Sequence, residues 1–424
     1  MKPARIFILL LLAVGVIGAT VTGFAIYSRL IYATVLLLAG SWAWTRWTIS
    51  GVQLRRRARI ERANVGDVFE EHYELTNSSR IPAAWVEIIN RSKIPYAAGS
   101  RLWTTVLGKQ KRIHAARTWL TRRGAFPLGP TRVVAGDPFG LFRAVLDVPP
   151  LQTLVALPML FEIRDFPLPP GLLSGGQVIR KKAADITPHA AGVREYAHGD
   201  TLKRIHWRSS ARRNQLMVKE FEQDPQSEIW LYLDLQSDAH FEKSQQIPDA
   251  PTELSLFSKR PKFNLPPSTL EYSVSIMASL AHYFIAQRRA VGFASVGQTI
   301  AVRPAERGAR QESKILETLA FVEADGNLSI AALVSAQSSQ LPQGSTAILV
   351  TPNTRPDLLV AVDDLQRRHM RPVVVLLDPA TFGSSGNSFA LVESLRARRI
   401  PVCVIACGAD LSQVFSEFSS NLFS

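Results

Sequence analysis

Between Val193 and Glu222 the chain reads VREYAHGDTLKRIHWRSSARRNQLMVKEFE, its densest run of residues able to do chemistry. Arg194, Lys203, Arg204, Arg208, Arg212, Arg213 and Lys219 each need water, an anion or a carboxylate partner, because burying an unpaired cation is costly. Asp200 or Thr201 can cap a helix, since a short side-chain oxygen accepts from the free N–H groups of the first turn. On such a helix Arg204, Arg208 and Arg212 recur every four residues and share one face. That face either binds something anionic, an acidic protein surface or a nucleic acid, or it clamps Glu195, Glu220 and Glu222 across a domain seam. Glu195, His198, Asp200 and His206 form a candidate acid–base or metal set, although their spacing matches no standard ligand pattern. Further on, Asp234, Gln236 and Asp238 follow an apolar strand, at the end where α/β folds bind ligands. Their oxygens suit Mg²⁺; otherwise Asp234 caps a backbone turn. No phosphate-binding glycine loop, dinucleotide fingerprint or nucleophile elbow occurs.

These residues need elements to hold them, and the chain first needs an anchor. Ile6–Tyr27 is 22 residues without a charge, and Leu30–Thr45 is a second uncharged run. A bilayer core takes about 20 residues of helix, so residues 1–50 are expected to form two transmembrane helices with a turn near Ser28 and Arg29. Trp42, Trp44 and Trp47 fit an interfacial belt. Lys2 and Arg5 before the first helix, and Arg46 and Arg55–Arg59 after the second, put both ends in the cytoplasm. The run Arg55, Arg56, Arg57 and Arg59 is also expected to touch anionic lipid. The net charge of +14 over 424 residues favours acidic partners without choosing among them. Cys403 and Cys407 are too few for a disulfide framework and are expected as reduced thiols on one strand, Val402–Cys407.

Residues 51–150 alternate like short strands, with Phe69, Glu71, Tyr73 and Leu75 on one face of Val68–Thr76, and predict a small antiparallel β-sandwich. Residues 151–228 hold a Pro/Gly-rich connector, with one strand at Leu154–Leu157, and then the basic segment. Over 229–424, apolar strands alternate with helices and predict a doubly wound parallel sheet. The polar stretch 239–267, with five prolines, is expected as a flexible insertion.

Arg194, Glu195, Tyr196, Gly199, Asp200, Arg204, Ile205, Trp207, Ala211, Arg212, Leu216, Val218 and Glu220 resemble the defining pattern of the domain-of-unknown-function-58 family. A second block, RRGAFPLGPTRVVAGDPFGLFR (Arg122–Arg143), resembles the region upstream in that family. The resemblance implies a bacterial inner-membrane protein, with an immunoglobulin-like sandwich and a C-terminal domain resembling von Willebrand factor A, both cytoplasmic. It implies a MoxR-type AAA+ ATPase and a transglutaminase-like membrane protein as partners. The A-domain metal pattern Asp-x-Ser-x-Ser stands here as Asp234, Gln236 and Asp238, and Gln in place of a hydroxyl weakens it as a Mg²⁺ site.

The expectation is a membrane-anchored, non-enzymatic adaptor with no required cofactor. Its partner-binding residues would be Arg194, Glu195, Tyr196, Gly199, Asp200, Arg204, Trp207, Arg208, Arg212 and Glu220. The alternatives are an enzyme using Glu195, His198, Asp200 and His206, or anion and nucleic-acid binding through Arg204, Arg208 and Arg212. Nucleic acid is not expected, because Trp207 is the lone aromatic among these arginines and single-strand binding wants several.

Overall fold

The structure, a computed structural model, describes residues 3–167, 190–197, 205–221, 228–243, 263–298 and 300–423. It is a mixed α/β chain with apolar N-terminal helices and several sheets. Helices α1 (Pro3–Thr22) and α2 (Ala25–Gly51) form an antiparallel pair. Their turn lies at Gly23 and Phe24, not at Ser28 and Arg29. Gly23 takes φ +65°, which costs any other residue, whereas the Ser28 hydroxyl donates to the Ala25 carbonyl inside α2. The two helices approach closely at Gly18, where a Cβ would lie 2.3 Å from the Tyr27 ring. Ala25–Gly51 is long and apolar enough to cross a membrane, while Ile6–Thr22 is a shorter apolar stretch. Phe7, Ile17, Ile26 and Leu36 are uncovered by protein.

The chain passes from α2 into β1 (Val52–Ala58) with no intervening loop, Val52 being already extended. Then come β2 (Arg62–Asn64), β3 (Val68–Asn77), β4 (Ala83–Asn90), β5 (Arg101–Val106), β6 (Lys111–Trp119), β7 (Gly124–Pro127), β8 (Thr131–Gly136), β9 (Arg143–Val148) and β10 (Thr153–Leu157). One antiparallel sheet runs β1-β3-β6 and another β5-β4-β8-β9; between them Tyr73 and Leu75 meet Val86, Ile88 and Val133. A small third sheet, β2-β10-β7, closes a second core around Phe69, Leu120 and Leu154.

Strand β1 sorts the arginine run by side. Its alternation turns Val52, Leu54 and Arg56 inward and leaves Arg55 and Arg57 exposed. Arg56 faces Glu71 on β3, Nε–Oε1 2.7 Å and Nη2–Oε2 2.9 Å, and donates through Nη1 to Asn90 Oδ1 and Thr131 Oγ1. Glu71 is fully buried, so the pair neutralises two charges inside the β-core. The Arg122–Arg143 block also gains a local reason. Buried Asp137 accepts N–H bonds from Phe139, Leu141 and Phe142, folding the tight loop between β8 and β9.

After β11 (Ala190–Glu195), α3 (Trp207–Arg213) and β12 (Met217–Phe221) comes a six-stranded sheet in the order β15-β14-β13-β16-β17-β18. Its strands are β13 (Ile229–Asp234), β14 (Val291–Val296), β15 (Ile300–Glu306), β16 (Thr346–Thr351), β17 (Arg371–Leu377) and β18 (Val402–Ile405). Helices α4 (Thr269–Ala286), α5 (Ala309–Phe321) and α9 (Leu411–Phe423) are on one face. Helices α6 (Ile330–Ser338), α7 (Asp357–Arg367) and α8 (Phe389–Ala397) cover the other. Residues of β13, β14, β16 and β17 are buried throughout or nearly so, as the apolar runs required. The sheet is not wholly parallel: β15 runs antiparallel to β14 as an exposed edge. Strand β18 ends at Ile405, so Cys407 lies beyond it, and its N–H donates to Thr381 Oγ1. Buried Cys403 has its thiol pushed up to about 12 by that burial. Of the expected insertion, residues 244–262 lie outside the described residues.

The β-module and the six-stranded module are bolted together. Arg123, just before β7, donates to the Leu319 and Val322 carbonyls at the end of α5 and pairs with Glu271 on α4. Trp119 meets Phe263 edge-on at 5.5 Å, and Arg62 pairs with Glu317. Residues 158–167 are packed rather than merely extended: Ile163 and Phe166 join the core, and Phe166 N–H donates to the Tyr283 hydroxyl.

Candidate functional site

The basic segment folds as a hairpin with a helix across its end. Strands β11 and β12 pair antiparallel, Val193 opposite Lys219 and Glu195 opposite Met217, and Ile205 bridges Val218 from the other side. Helix α3 begins at Trp207, not after Asp200 or Thr201. Its cap is His206, whose Nδ1 accepts the Ser209 N–H at 3.2 Å and lies 2.7 Å from Ser209 Oγ. An Nδ1 that accepts carries no proton, so the Ser209 hydroxyl donates to it. Asn214, left-handed at φ 51°, ends the helix. Ser210 pins α3 to the hairpin: its hydroxyl accepts the Met217 N–H at 2.8 Å and donates to the His206 carbonyl. The His206 N–H in turn donates to the Met217 carbonyl at 2.7 Å.

Arg208 and Arg212 share α3, which starts after the Ile205–Val218 bridge. Both are exposed, as are Arg213, Trp207 (68%) and Leu216 (45%). Neither Arg208 nor Arg212 forms an ion pair among the described residues, and Glu222 of the expected clamp lies outside them. Glu195, exposed, accepts from Gln215 Nε2 at 2.9 Å, and half-buried Tyr196 donates its N–H to the Leu216 carbonyl. Arg194 and Glu220 lie in β11 and β12. His198, Gly199, Asp200 and Arg204 lie outside the described residues. The two described members of the candidate acid–base set, Glu195 and His206, are taken up by Gln215 and by the helix cap.

A second polar centre lies at the carboxyl end of the six-stranded sheet. From β13 the chain leaves toward α4 on one face, while from β16 it leaves toward α7 on the other, so the crevice expected at a topological switch point lies between the carboxyl ends of β13 and β16. Asp234, 1% exposed, accepts the Thr351 hydroxyl on Oδ2 at 2.6 Å and the Gln236 N–H on Oδ1 at 3.0 Å. Burial pushes its carboxyl up to about 6, against the pull of those bonds. Beneath it, His240 has Nε2 2.9 Å from the Asp234 carbonyl and Nδ1 3.0 Å from Thr269 Oγ1. Burial lowers that imidazole to about 4, so it is neutral at pH 7, with its proton on the Nε2 that faces the carbonyl. Asp238 is exposed and ion-paired to Arg355 at 2.9 Å, which holds its carboxyl below the usual range.

The two carboxylates of the Asp234–Gln236–Asp238 pattern are thus spent on a hydroxyl and a guanidinium. No three His, Cys, Asp or Glu side chains converge on one point among the described residues. Near that end of the sheet Gln236 Oε1, Asn353 Nδ2 and Asp357 Oδ1 are buried with no hydrogen-bond partner among the described residues. Thr351, Asn353 and Arg355 were missed from the sequence. The signal available was a polar triplet directly after an apolar strand, at alternate positions that matched those after β13.

Residues 192–253, from the hairpin through the Asp234–Asp238 turn, match the family described as Protein of unknown function DUF58. The chain carries a DUF58 segment. It is 26% identical over 207 residues to the uncharacterised protein YeaD of Bacillus subtilis (strain 168), a match covering 48% of this chain and 44% of YeaD. The chain therefore aligns with less than half the length of that relative. Among solved structures, proximal thread matrix protein 1 of the mussel byssus matches at TM-score 0.29 and 12% identity, over 48% of this chain and 47% of that one. The pilus adhesin SpaC of Lactobacillus rhamnosus GG matches at 0.28 and 8%, over 47% and 30%. Scores this low carry no argument about fold or function. The DUF58 match spans most of the hairpin and the Asp234–Asp238 turn, while Thr351, Asn353 and Arg355 lie beyond it.

Proposed function

We propose that the chain is a membrane-anchored, non-enzymatic adaptor. Helices α1 and α2 anchor it in a bacterial inner membrane, and both folded modules lie in the cytoplasm. The β-module acts as an immunoglobulin-like spacer, and the six-stranded module is a von Willebrand factor A-like domain that engages a protein partner. The observation that carries this reading is the α3 face. Trp207 stands 68% exposed, and Arg208 and Arg212 are exposed one turn apart, on a helix fastened to β12. Exposed Trp and Arg on a rigid support are the side chains that dominate protein interfaces, and holding them in place beforehand lowers the entropy lost on binding. A MoxR-type AAA+ ATPase is the partner proposed, with a transglutaminase-like membrane protein as a further member of the assembly. The test is co-purification of the tagged full chain in mild detergent with ATP and Mg²⁺. The wild type should retain the ATPase encoded beside it, and Trp207→Ala/Arg208→Glu/Arg212→Glu should lose it while staying folded and membrane-bound. No ATPase with the wild type, or equal retention by the variant, would refute the reading.

A further inference from the structure

The alternation in β1 sorts the arginine run into two jobs, and only one is structural. Arg56 turns inward to Glu71, while Arg55 and Arg57 remain exposed. These two border a groove of about 440 Å³ at the edge of β1. The volume falls within the roughly 300–1,000 Å³ of small-ligand sites. Its other walls include Arg56, Leu128, Val148, Leu151 and Gln152, and no carboxylate among the described residues lines it. Of the nearest acids, Glu74, opposite Arg55 on β3, pairs with Lys111 at 2.7 Å while also feeling the charges of Arg55 and Arg57, and Glu61 reaches Gln152. Leu151 is 81% exposed, a large apolar side chain that water alone would cover poorly. A cationic rim over an aliphatic floor matches an amphiphile with an anionic head.

Position selects which amphiphile. Strand β1 begins at the residue after α2, so Arg55 lies within roughly 13 Å of the helix end at ~3.3 Å per residue. Helix α2 also packs on β8 and β9, and Thr131 of β8 and Val148 of β9 line the groove. The elements that form the groove are the ones joined to or touching the longer apolar helix. We infer that this groove holds an anionic phospholipid of the bilayer, its phosphodiester between Arg55 and Arg57 and its glycerol and upper acyl carbons against Leu128, Val148 and Leu151. The inference rests on the membrane-anchored reading. It narrows the phosphate contact to Arg55 and Arg57 beside an apolar wall and leaves Arg56, which also lines the groove, bonded to Glu71, Asn90 and Thr131.

The test uses the full chain in mild detergent, titrated with phosphatidylglycerol or phosphatidylcholine and read by native mass spectrometry. Wild type should retain phosphatidylglycerol selectively. Arg55→Gln/Arg57→Gln should bind it roughly 30-fold more weakly, from two surface arginines near a membrane, and Leu151→Asp should also weaken it. A control pair outside the groove, Lys93→Gln/Arg112→Gln, should bind as wild type does. Equal binding by groove and control variants overturns the inference. So does displacement by inorganic phosphate alone, which would mark a free-anion site, or loss of a co-purifying protein rather than of lipid, which would mark a peptide site. Carbonate extraction separates the two failures: a wild-type chain released from membranes refutes the anchor itself, whereas a retained chain with no lipid selectivity refutes only the groove.

Discussion

Removing the Arg56 side chain should cripple the β-module. Its guanidinium makes two bonds to Glu71 and one each to Asn90 and Thr131, and it stacks over the Tyr73 ring at 5.1 Å from the centroid. The side chains of Arg56 and Glu71 are 6% and 0% exposed. Arg56→Ala therefore leaves a carboxylate in the core with only the Tyr73 hydroxyl, 3.5 Å away, beside it. Burial, and then Glu71 itself, already push that hydroxyl above its usual range, so it will not give up its proton to ease the site. Breaking one side of such a pair costs about 3–5 kcal/mol. For a module of this size each kcal/mol lowers the melting point by roughly 4–8 °C, so a loss of at least about 10 °C is expected. Tryptophan fluorescence of the full chain in detergent reads it, because Trp85, Trp103 and Trp119 all belong to this module. Arg56→Met/Glu71→Leu should recover most of the loss, since no charge is then stranded. If Arg56→Ala melts within about 2 °C of wild type, or the double variant is no better than the single, the buried pair does not hold the module together.

Two further perturbations follow. The Asp234 carboxyl is raised to about 6 in the fold, so it is uncharged there at low pH and costs stability as pH climbs from its unfolded value near 3.8 through 6. His240, lowered to about 4, acts oppositely: the fold loses stability as pH falls through 6.5 toward 4. The two trends offset each other in wild type. Asp234→Asn keeps the Gln236 N–H bond on Oδ1, must turn the Thr351 contact round so that Nδ2 donates to Oγ1, and removes one trend, so its stability should gain on wild type as pH rises from 4 to 7, by roughly 2–3 kcal/mol at most; a pH-independent difference would refute the assignment. Arg123→Ala strands the Leu319 and Val322 carbonyls and leaves Glu271 unpaired between the modules. Limited proteolysis should then cut between the modules several-fold faster, with each module still intact; unchanged cutting would show that the other contacts suffice.

The strands of the six-stranded sheet were legible because burial on both faces demands unbroken apolar runs, and Ile229–Asp234 and Arg371–Leu377 are such runs. Edge strand β15 was not: it is largely exposed and contains Pro304, so no run marks it. Helices α6 and α9 also went unread from the sequence, their apolar positions being interleaved with serines. The four-residue arginine spacing suggested a longer basic helix, but Ile205 pairs with Val218, and α3 is shortened to seven residues.

By itself the sequence determined the apolar leader, the alternation of β3 that turns Glu71 inward with Phe69 and Tyr73, and the strand–helix rhythm after residue 228, since each depends on the local period of apolar side chains. Only the tertiary structure decided what those residues meet. Arg56 finds Glu71 15 positions away and Thr131 75 away, and Asp234 finds Thr351 117 away. No local period encodes such partners, because chain folding, not spacing, brings them within hydrogen-bond reach. A run of three arginines therefore looked uniform until the strand separated the one that is buried from the two that face outward.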